Sequence, residues 1–438
     1  MNQQKTAART AGEAGWHVSR YKLSAPVPGS QDVMILSLMK GVIARYSLPE
    51  QYLLSVLEDL PEDHPVIERF AERGIAVNYD EYAALETMGR AYSAFPARVP
   101  LTVCPTMACN FDCPYCYEKH GAGKMREEVQ DDIAGLAERL LSASRAPVLD
   151  VTWFGGEPLL CPDVIERLSG LLIPLAEKYH AEYQATAITN GYLLTEETAE
   201  LLERCRVEQL QITLDGLGAV HDATRHLAGG GATFDRIMSN LSRKNPFLVR
   251  IRHNVHEGNM DEITRLRDFV KETAEKSGNR FEYYPAVITG SEAADDRGRQ
   301  VRLLSGEDEC SVGVQMNTRR LQKGRGHFCS ANSAWEVGID PEGNLVKCWE
   351  IVDKPEYAFG KACSWDPLRP METADRPDLL TRYLNAAVPF ADEECRSCVW
   401  LPVCAGGCPH ARLAGKKRCV PYKDRPELYV RAFSGITE

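Results

Sequence analysis

The stretch that decides the fold is "LTVCPTMACNFDCPYCYE", Leu101 to Glu118. It begins on an apolar strand candidate. It then sets Cys109, Cys113 and Cys116 in the spacing C-x3-C-x2-C, with Cys104 just upstream. Three thiols on one tight loop are an odd number. A structural zinc site closes with four ligands, and a complete iron–sulfur cube also normally takes four cysteines. Three cysteines leave one metal position open, and an open position is where a metal does chemistry. The competing reading is a zinc knuckle completed by Cys104 or His120.

Composition narrows the surroundings of that loop. The chain has 438 residues, 44% hydrophobic and 26% charged, as expected of a globular protein with two or three domains. Its net charge of -11 supports neither a nucleic-acid nor an anionic-membrane partner. The first fifteen residues are polar with no apolar core of a signal peptide, and no apolar run approaches membrane-spanning length. These features point to the cytoplasm. In a reducing cytosol the fifteen cysteines are metal ligands before they are disulfides.

Outward from the loop, the middle of the chain alternates strands and helices. The strand candidates are "VPLTV", "VLDVTWF", "QATAIT", "QLQITL", "FLVRIRHN" and "FEYYPAVI". Between them, Val129, Ile133, Leu136 and Leu140 make one helical stripe; Ile165, Leu168, Leu172 and Leu175 make another. "LTEETAELLERC" opens a third helix, with Thr195 as N-cap and two glutamates in the first turn. Six apolar strands separated by helices predict a parallel α/β sheet, doubly wound or a partial barrel. In either case the active site belongs at the C-terminal strand ends.

Polar motifs stand at those ends: "WFGGEP" with Gly155, Gly156 and Glu157, "AITNG" with Asn190, "ITLDG" with Thr213 and Asp215, and "RIRHN" with Arg252 and Asn254. Arg225 follows in "HDATRH". Two glycines allow close backbone approach, and Glu157 can accept from an ammonium group. Polar side chains at successive strand ends suit a ribose and a carboxylate; the competing readings are ordinary strand-end capping and, for Arg225, a surface position.

The C-x3-C-x2-C loop, with aromatic Tyr115 before its last cysteine, resembles that of radical S-adenosylmethionine enzymes. The resemblance implies a 4Fe-4S cluster on Cys109, Cys113 and Cys116 whose open iron binds the amino and carboxylate groups of S-adenosylmethionine. Electron transfer to the sulfonium then yields a 5′-deoxyadenosyl radical that abstracts a substrate hydrogen; the protein orients the reagents and excludes water. It implies a partial (β/α)6 TIM barrel, "GGEP" against the methionine amine, and Asn190, Thr213, Asp215, Arg225, Arg252 and Asn254 as cofactor contacts.

From about residue 310 the chain has little periodicity, many turn residues and most of the cysteines, so metal rather than a large core is expected to organise it. "CSANSAWEVGIDPEGNLVKC" gives C-x13-G-x4-C from Cys329 to Cys348, with Gly343 in a hairpin turn. "CRSCVWLPVCAGGC" gives Cys395, Cys398, Cys404 and Cys408, and Cys419 follows. Seven cysteines in this order resemble the SPASM extension of radical S-adenosylmethionine enzymes. That resemblance implies two auxiliary 4Fe-4S clusters, three clusters in all. Cys395, Cys398, Cys404 and Cys419 would hold the second. Cys329, Cys348 and Cys408 would hold the first, with Cys310 or an open iron as its fourth position. Cys161, Cys205 and Cys363 read as small hydrophobes. The competing reading of this region is a pair of zinc ribbons.

At the N-terminus three short strands precede "LPEQYLLSVLEDL", read as one helix with Leu53, Leu54, Leu57 and Leu60 on a face, then "PVIERFAERGIAV", a helix ended by Gly74 and a strand, and "YDEYAALETMGRAY", a polar helical link. This order fits a winged-helix-like module. It is similar to the leader-peptide recognition domain found before radical S-adenosylmethionine cores in peptide maturases, where a leader adds a strand to a sheet edge. The expected domains are a winged-helix-like module with linker over 1–97, a radical core over 98–308 and a SPASM domain over 309–438. The expected function is radical modification of a ribosomally made precursor peptide, forming a thioether or carbon–carbon crosslink. An external one-electron reductant of flavodoxin or ferredoxin type would feed it. Oxidation of a protein Cys or Ser, as in anaerobic sulfatase maturases, and a non-catalytic zinc-ribbon protein are the alternatives.

Overall fold

A computed structural model describes residues 15–256, 258–288, 329–386, 388–420, 423–424 and 426–434. Cys310 lies outside them. The N-terminal part holds β1 (His17–Val18), β2 (Lys22–Pro26), β3 (Val33–Ser37), β4 (Val42–Tyr46), α1 (Leu48–Ser55), α2 (Pro65–Glu72), β5 (Ala76–Val77) and α3 (Glu81–Ala94). β2, β3 and β4 form an antiparallel meander, and β1 pairs with β5. Both meander faces are buried. Ile35 and Tyr46 pack against Leu54, Ile67 and Phe70 of α1 and α2, while Leu23 and Leu36 pack against Trp400, Tyr429 and Val430 from the end of the chain.

The leucine-rich stretch read as one helix is divided. α1 ends at Ser55 and a 3-10 turn spans Leu57–Asp59. Pro61 keeps Leu60 extended and stops the second piece. The expected polar link is α3, capped by Asp80 Oδ1, which accepts from the backbone N–H of Tyr82 and Ala83 at 2.9 and 3.0 Å. Its Tyr82 and Leu85 are buried against the C-terminal part.

The middle runs β6 (Val99–Val103), α4 (Glu127–Ser144), β7 (Val148–Trp153), α5 (Pro162–Lys178), β8 (Glu182–Thr189), α6 (Glu196–Arg204), β9 (Val207–Thr213), α7 (Ala219–Asp222), α8 (Phe234–Ser242), β10 (Leu248–Val255), α9 (Glu262–Ser277) and β11 (Arg280–Val287). All six strands are parallel and pair in chain order. The stripes of α4 and α5 are buried against them, apart from the half-buried Leu175. Thr195 caps α6 by accepting from Thr198 N–H at 3.2 Å. Along β10, Val249, Ile251, His253 and Val255 are buried in alternation with half-buried Arg250, Arg252 and Asn254. This is a parallel α/β sheet of partial-barrel type, with all C-terminal strand ends on one rim.

The sheet continues past β6. β12 (Val337–Ile339) pairs parallel with β6, and β13 (Asn344–Val346) and β14 (Gly360–Lys361) add antiparallel strands, making nine. The β12–β13 turn is held by Asp340, whose Oδ1 accepts from Glu342 and Asn344 N–H at 3.0 and 2.8 Å. The hairpin turn expected at Gly343 is present, but strands of three residues carry no readable period, so their joining to β6 was not legible. The expectation of a core-poor C-terminal segment also changes: Phe359, Trp365, Tyr383 and Trp400 are buried there. Arg139 of α4 donates to the carbonyls of Trp365, at 3.0 Å, and Ala362. Cys161 and Cys205 are buried as expected of small hydrophobes, whereas Cys363 is exposed on a turn.

Candidate active site

The loop between β6 and α4 carries Cys109, Cys113 and Cys116 over the strand ends. It is held by backbone pairing. Phe154 N–H donates to Val103 O at 2.9 Å, Gly156 N–H to Thr106 O at 3.2 Å, and Glu157 N–H to Ala108 O at 2.9 Å. The end of β7 therefore zips along the residues leading into Cys109. The approach leaves no room for side chains: a Cβ on Gly155 would lie 2.4 Å from Thr106 O, and one on Gly156 2.3 Å from Ala108 O. Gly155 also has φ +103°.

Glu157 is 1% exposed. Its Oε1 accepts from Thr189 Oγ1 at 2.7 Å and Leu159 N–H at 3.0 Å, and its Oε2 from Asn190 N–H at 2.7 Å. This carboxylate thereby ties the ends of β7 and β8. Asn190 Nδ2 reaches Asn110 Oδ1 at 2.8 Å, beside Cys109. On the other side, Asp112 N–H donates to His226 O at 3.2 Å and Ala228 N–H to Asn110 O at 2.9 Å.

Beside the thiols lies a buried polar chain. Tyr115 donates its hydroxyl to Asp215 Oδ2 at 2.6 Å, Thr224 Oγ1 donates to the same oxygen at 2.8 Å, and Arg225 Nη1 donates to Tyr115 Oη at 3.0 Å. The Arg225 guanidinium stands 5.6 Å over the Phe111 ring. Arg225 is thus a buried group, not a surface one. His221 and Asp222 fix its segment: His221 Nδ1 accepts from Asp215 N–H at 3.2 Å, and Asp222 Oδ1 accepts from Thr233 and Phe234 N–H at 2.8 and 2.9 Å. Burial pushes the Asp215 carboxyl up, opposed by Arg225. Burial also works against charge on Arg225, but Tyr115, Cys113 and Asp215 outweigh it and hold it charged. Two polar atoms stay unmatched: Asp215 Oδ1 and Arg225 Nε are buried without a hydrogen-bond partner. The acceptor is open to a ligand hydroxyl or ammonium, and the donor to a ligand carboxylate.

Arg252 Nε donates to Asn254 Oδ1 at 2.8 Å, and Thr213 pairs with Arg252 in register on the neighbouring strand. Arg252 also acts electrostatically on Tyr117, next to Cys116. Tyr117 is half exposed at the rim. Asn110, Phe111, Thr224 and Tyr117 were not singled out from sequence. Their signal was position alone, inside motifs already quoted for their neighbours.

Burial raises the Cys109 thiol to about 12 and the Cys116 thiol to about 11, and Cys113 is raised by burial and lowered by Arg225. The C-terminal part closes on this rim: Lys119 N–H donates to Asp353 Oδ2 at 2.9 Å, and Trp349 lies 5.5 Å from Phe154 between ring centroids. There Cys329, Cys348 and Cys408 are near enough to act on one another electrostatically. Farther out, Cys395, Cys398, Cys404 and Cys419 line one cavity of about 400 Å³ with Arg412, Lys417 and Lys423. Among the described residues no three His, Cys, Asp or Glu side chains converge on a single metal ion. Each cysteine of an iron–sulfur cube binds a different corner iron, so a cube asks for a wider set than one ion does. A cysteine-lined cavity with cations on its wall fits that group.

Residues 103–270 match the Radical SAM superfamily. The chain is 27% identical to PqqA peptide cyclase of Gluconobacter oxydans over 268 residues, 58% of this chain and 71% of that one. Against other curated relatives the match spans 45%, 36% or 54% of the relative's length. Two solved structures share the fold. One is anSMEcpe with bound AdoMet and Cp18Cys peptide, with a TM-score of 0.57 and 19% identity over 77% of this chain and 97% of that one. The other is Streptococcus suis SuiB bound to precursor peptide SuiA, with a TM-score of 0.52 and 16% identity over 92% of this chain and 97% of that one.

Proposed function

We propose that this protein is a radical S-adenosylmethionine maturase that modifies a ribosomally made peptide. The observation that carries the reading is the thiol triad Cys109, Cys113 and Cys116, held over the strand ends beside the orphan pair Asp215 Oδ1 and Arg225 Nε. When bound, the cluster and S-adenosylmethionine together supply the one-electron chemistry that removes a hydrogen atom from a substrate carbon. The chain's own residues hold and orient. The three cysteines ligate the cluster. Arg225 offers a charged N–H to the methionine carboxylate, and Asp215 offers an oxygen to a hydroxyl or ammonium. The backbone at Gly155, Gly156 and Glu157 and the side chains of Asn190, Thr213, Arg252 and Asn254 complete the rim.

Cys329, Cys348 and Cys408 hold a first auxiliary cluster in this reading, and Cys395, Cys398, Cys404 and Cys419 a second. Such clusters would give the electron released on crosslinking a route out, while a flavodoxin- or ferredoxin-type reductant would supply the electron that starts each turnover; the bond formed is a thioether or a carbon–carbon link. The divisions at 97 and 308 follow the same reading, as does a cytoplasmic location. Among the described residues β4 pairs on one side only, with β3. A leader peptide can add there as a further strand.

The test is anaerobic reconstitution with iron and sulfide, then dithionite and S-adenosylmethionine, with 5′-deoxyadenosine measured by mass spectrometry. About twelve irons per chain and formation of 5′-deoxyadenosine are expected. Colourless protein carrying one or two zinc ions would overturn the reading.

A further inference from the structure

One cation in the C-terminal cavity makes contacts that a surface arginine does not. Arg412 sits on the short helix Pro409–Leu413 with a side chain only 10% exposed. Its Nη1 donates to Asp392 Oδ2 at 2.8 Å. Its Nη2 donates to Gly406 O at 2.8 Å and to the sulfur of Cys395 at 3.1 Å. Its Nε is buried and finds no acceptor among the described residues. Lys417 and Lys423 line the same cavity, and among the described residues their side chains pair with acids and not with a cysteine sulfur: Lys417 pairs with Asp392 and Glu394 at 2.8 and 2.9 Å, Lys423 with Glu394 at 2.9 Å.

The fold makes room for this arginine. Gly406 has φ +84°, and a Cβ there would lie 2.6 Å from Pro389 Cβ and 3.1 Å from Arg412 Nη2. Asp392 serves as the counter-charge, and its Oδ1 also caps the helix Glu393–Ser397 by accepting from Cys395 N–H at 3.1 Å. The segment that aims Arg412 is therefore the one that positions Cys395.

We propose that Arg412 is a tuning residue for the auxiliary cluster held by Cys395, Cys398, Cys404 and Cys419, raising its reduction potential through N–H···S bonds from a buried cation. The inference rests on the reading that these four cysteines hold a cluster. Adding an electron makes the cluster more negative. A buried positive charge donating to a ligating sulfur stabilises the reduced form more than the oxidised one. The bond to Cys395 supplies one such donor, and the orphan Nε–H is free to supply another, to a cluster sulfide. A lysine keeps the charge but loses the planar fork that serves Asp392 and sulfur together.

The experiment is a potentiometric titration, followed by electron paramagnetic resonance, of the anaerobically reconstituted full chain and of Arg412→Gln and Arg412→Lys. The expected result is one auxiliary signal shifted to more negative potential in Arg412→Gln, and shifted the same way by less in Arg412→Lys, with the other two signals unmoved. All midpoints unchanged in a variant with full iron content would overturn it. Where Arg412→Gln holds less iron, Arg412→Lys decides on the same criterion. Unaltered protein that binds no cluster at these four cysteines defeats the underlying reading instead, and iron and sulfide content reports that outcome separately.

Discussion

The hydroxyl of Tyr82 donates to the carbonyl of Phe390 at 2.8 Å, joining residues 308 positions apart. Nearby, Arg20 Nη2 donates to Arg396 O at 3.0 Å, and the Arg396 guanidinium stands 4.9 Å over the Tyr82 ring. Arg396 lies between Cys395 and Cys398. The N-terminal module thus packs on the loop that carries two of the proposed ligands, and Trp400, Tyr429 and Leu36 share one apolar cluster.

Removing residues 1–95 should therefore cost more than substrate recognition. The truncated chain is expected to lose about one 4Fe-4S cluster's worth of iron, because the Cys395 loop loses its support. Tyr82→Phe should keep full iron and lose about 1 kcal/mol of stability, one hydrogen bond's worth. Iron analysis and thermal unfolding check both. Full iron in the truncated chain would separate the module from the cluster site.

Gly156 and Gly170 make a matched pair. A Cβ on Gly156 meets two backbone carbonyls, Ala108 O at 2.3 Å and Met107 O at 2.5 Å, while one on Gly170 in α5 meets nothing within 4 Å. Gly156→Ala should destabilise by more than about 2 kcal/mol and abolish 5′-deoxyadenosine formation, since backbone cannot give way as a side chain can. Gly170→Ala should be neutral or stabilise by up to about 1 kcal/mol. Denaturant unfolding of both variants decides it.

Changing Cys109, Cys113 and Cys116 together to Ala should end S-adenosylmethionine cleavage while about two thirds of the iron remains. Arg225→Lys tests the neighbouring pair. It keeps the charge but loses the fork, so Tyr115 or the ligand goes without its donor. Iron content should be unchanged and the KM for S-adenosylmethionine should rise about tenfold or more, a loss of roughly 1.4 kcal/mol or more. Unchanged KM would remove Arg225 from the cofactor site.

What sequence made legible followed from periodicity and from motif. The stripes of α4 and α5 and the Thr195 cap were visible because each is a local pattern at a fixed period. The cysteine sets stood out because ligand chemistry constrains spacing, and their role as ligands stays a proposal. Three things were not. The β12–β13 hairpin joins β6 through three-residue strands too short to show alternation. The burial of Trp365 and Trp400 depends on partners far along the chain. The orphan atoms of Asp215 and Arg225 arise where Tyr115 and Phe111, on the cysteine loop, meet Thr224 from the segment after α7. No spacing rule anticipates that convergence.

The free edge of β4 leads to the last prediction. The meander is buried on both faces, so a peptide can reach it only along an edge. Apolar side chains stand exposed at β4 and in α1, which follows it: Val42 at 36%, Leu48 at 53% and Tyr52 at 67%. Isolated exposed apolar residues need no explanation, but three within one strand–helix unit beside an unpaired edge suit a peptide bringing alternate apolar side chains. Replacing Leu48 and Tyr52 by Glu leaves the buried residues of both packed faces intact, so folding and iron content should not change. Modification of a full-length precursor should fall at least tenfold, while 5′-deoxyadenosine formation without peptide stays at its original rate. Tethering acts by raising the effective concentration of the reacting segment, so adding a large excess of leaderless peptide should restore part of the lost turnover. Equal loss of peptide-free cleavage would instead mean that the substitutions damaged the barrel. Unaltered modification at low precursor concentration would leave β4 as plain scaffold.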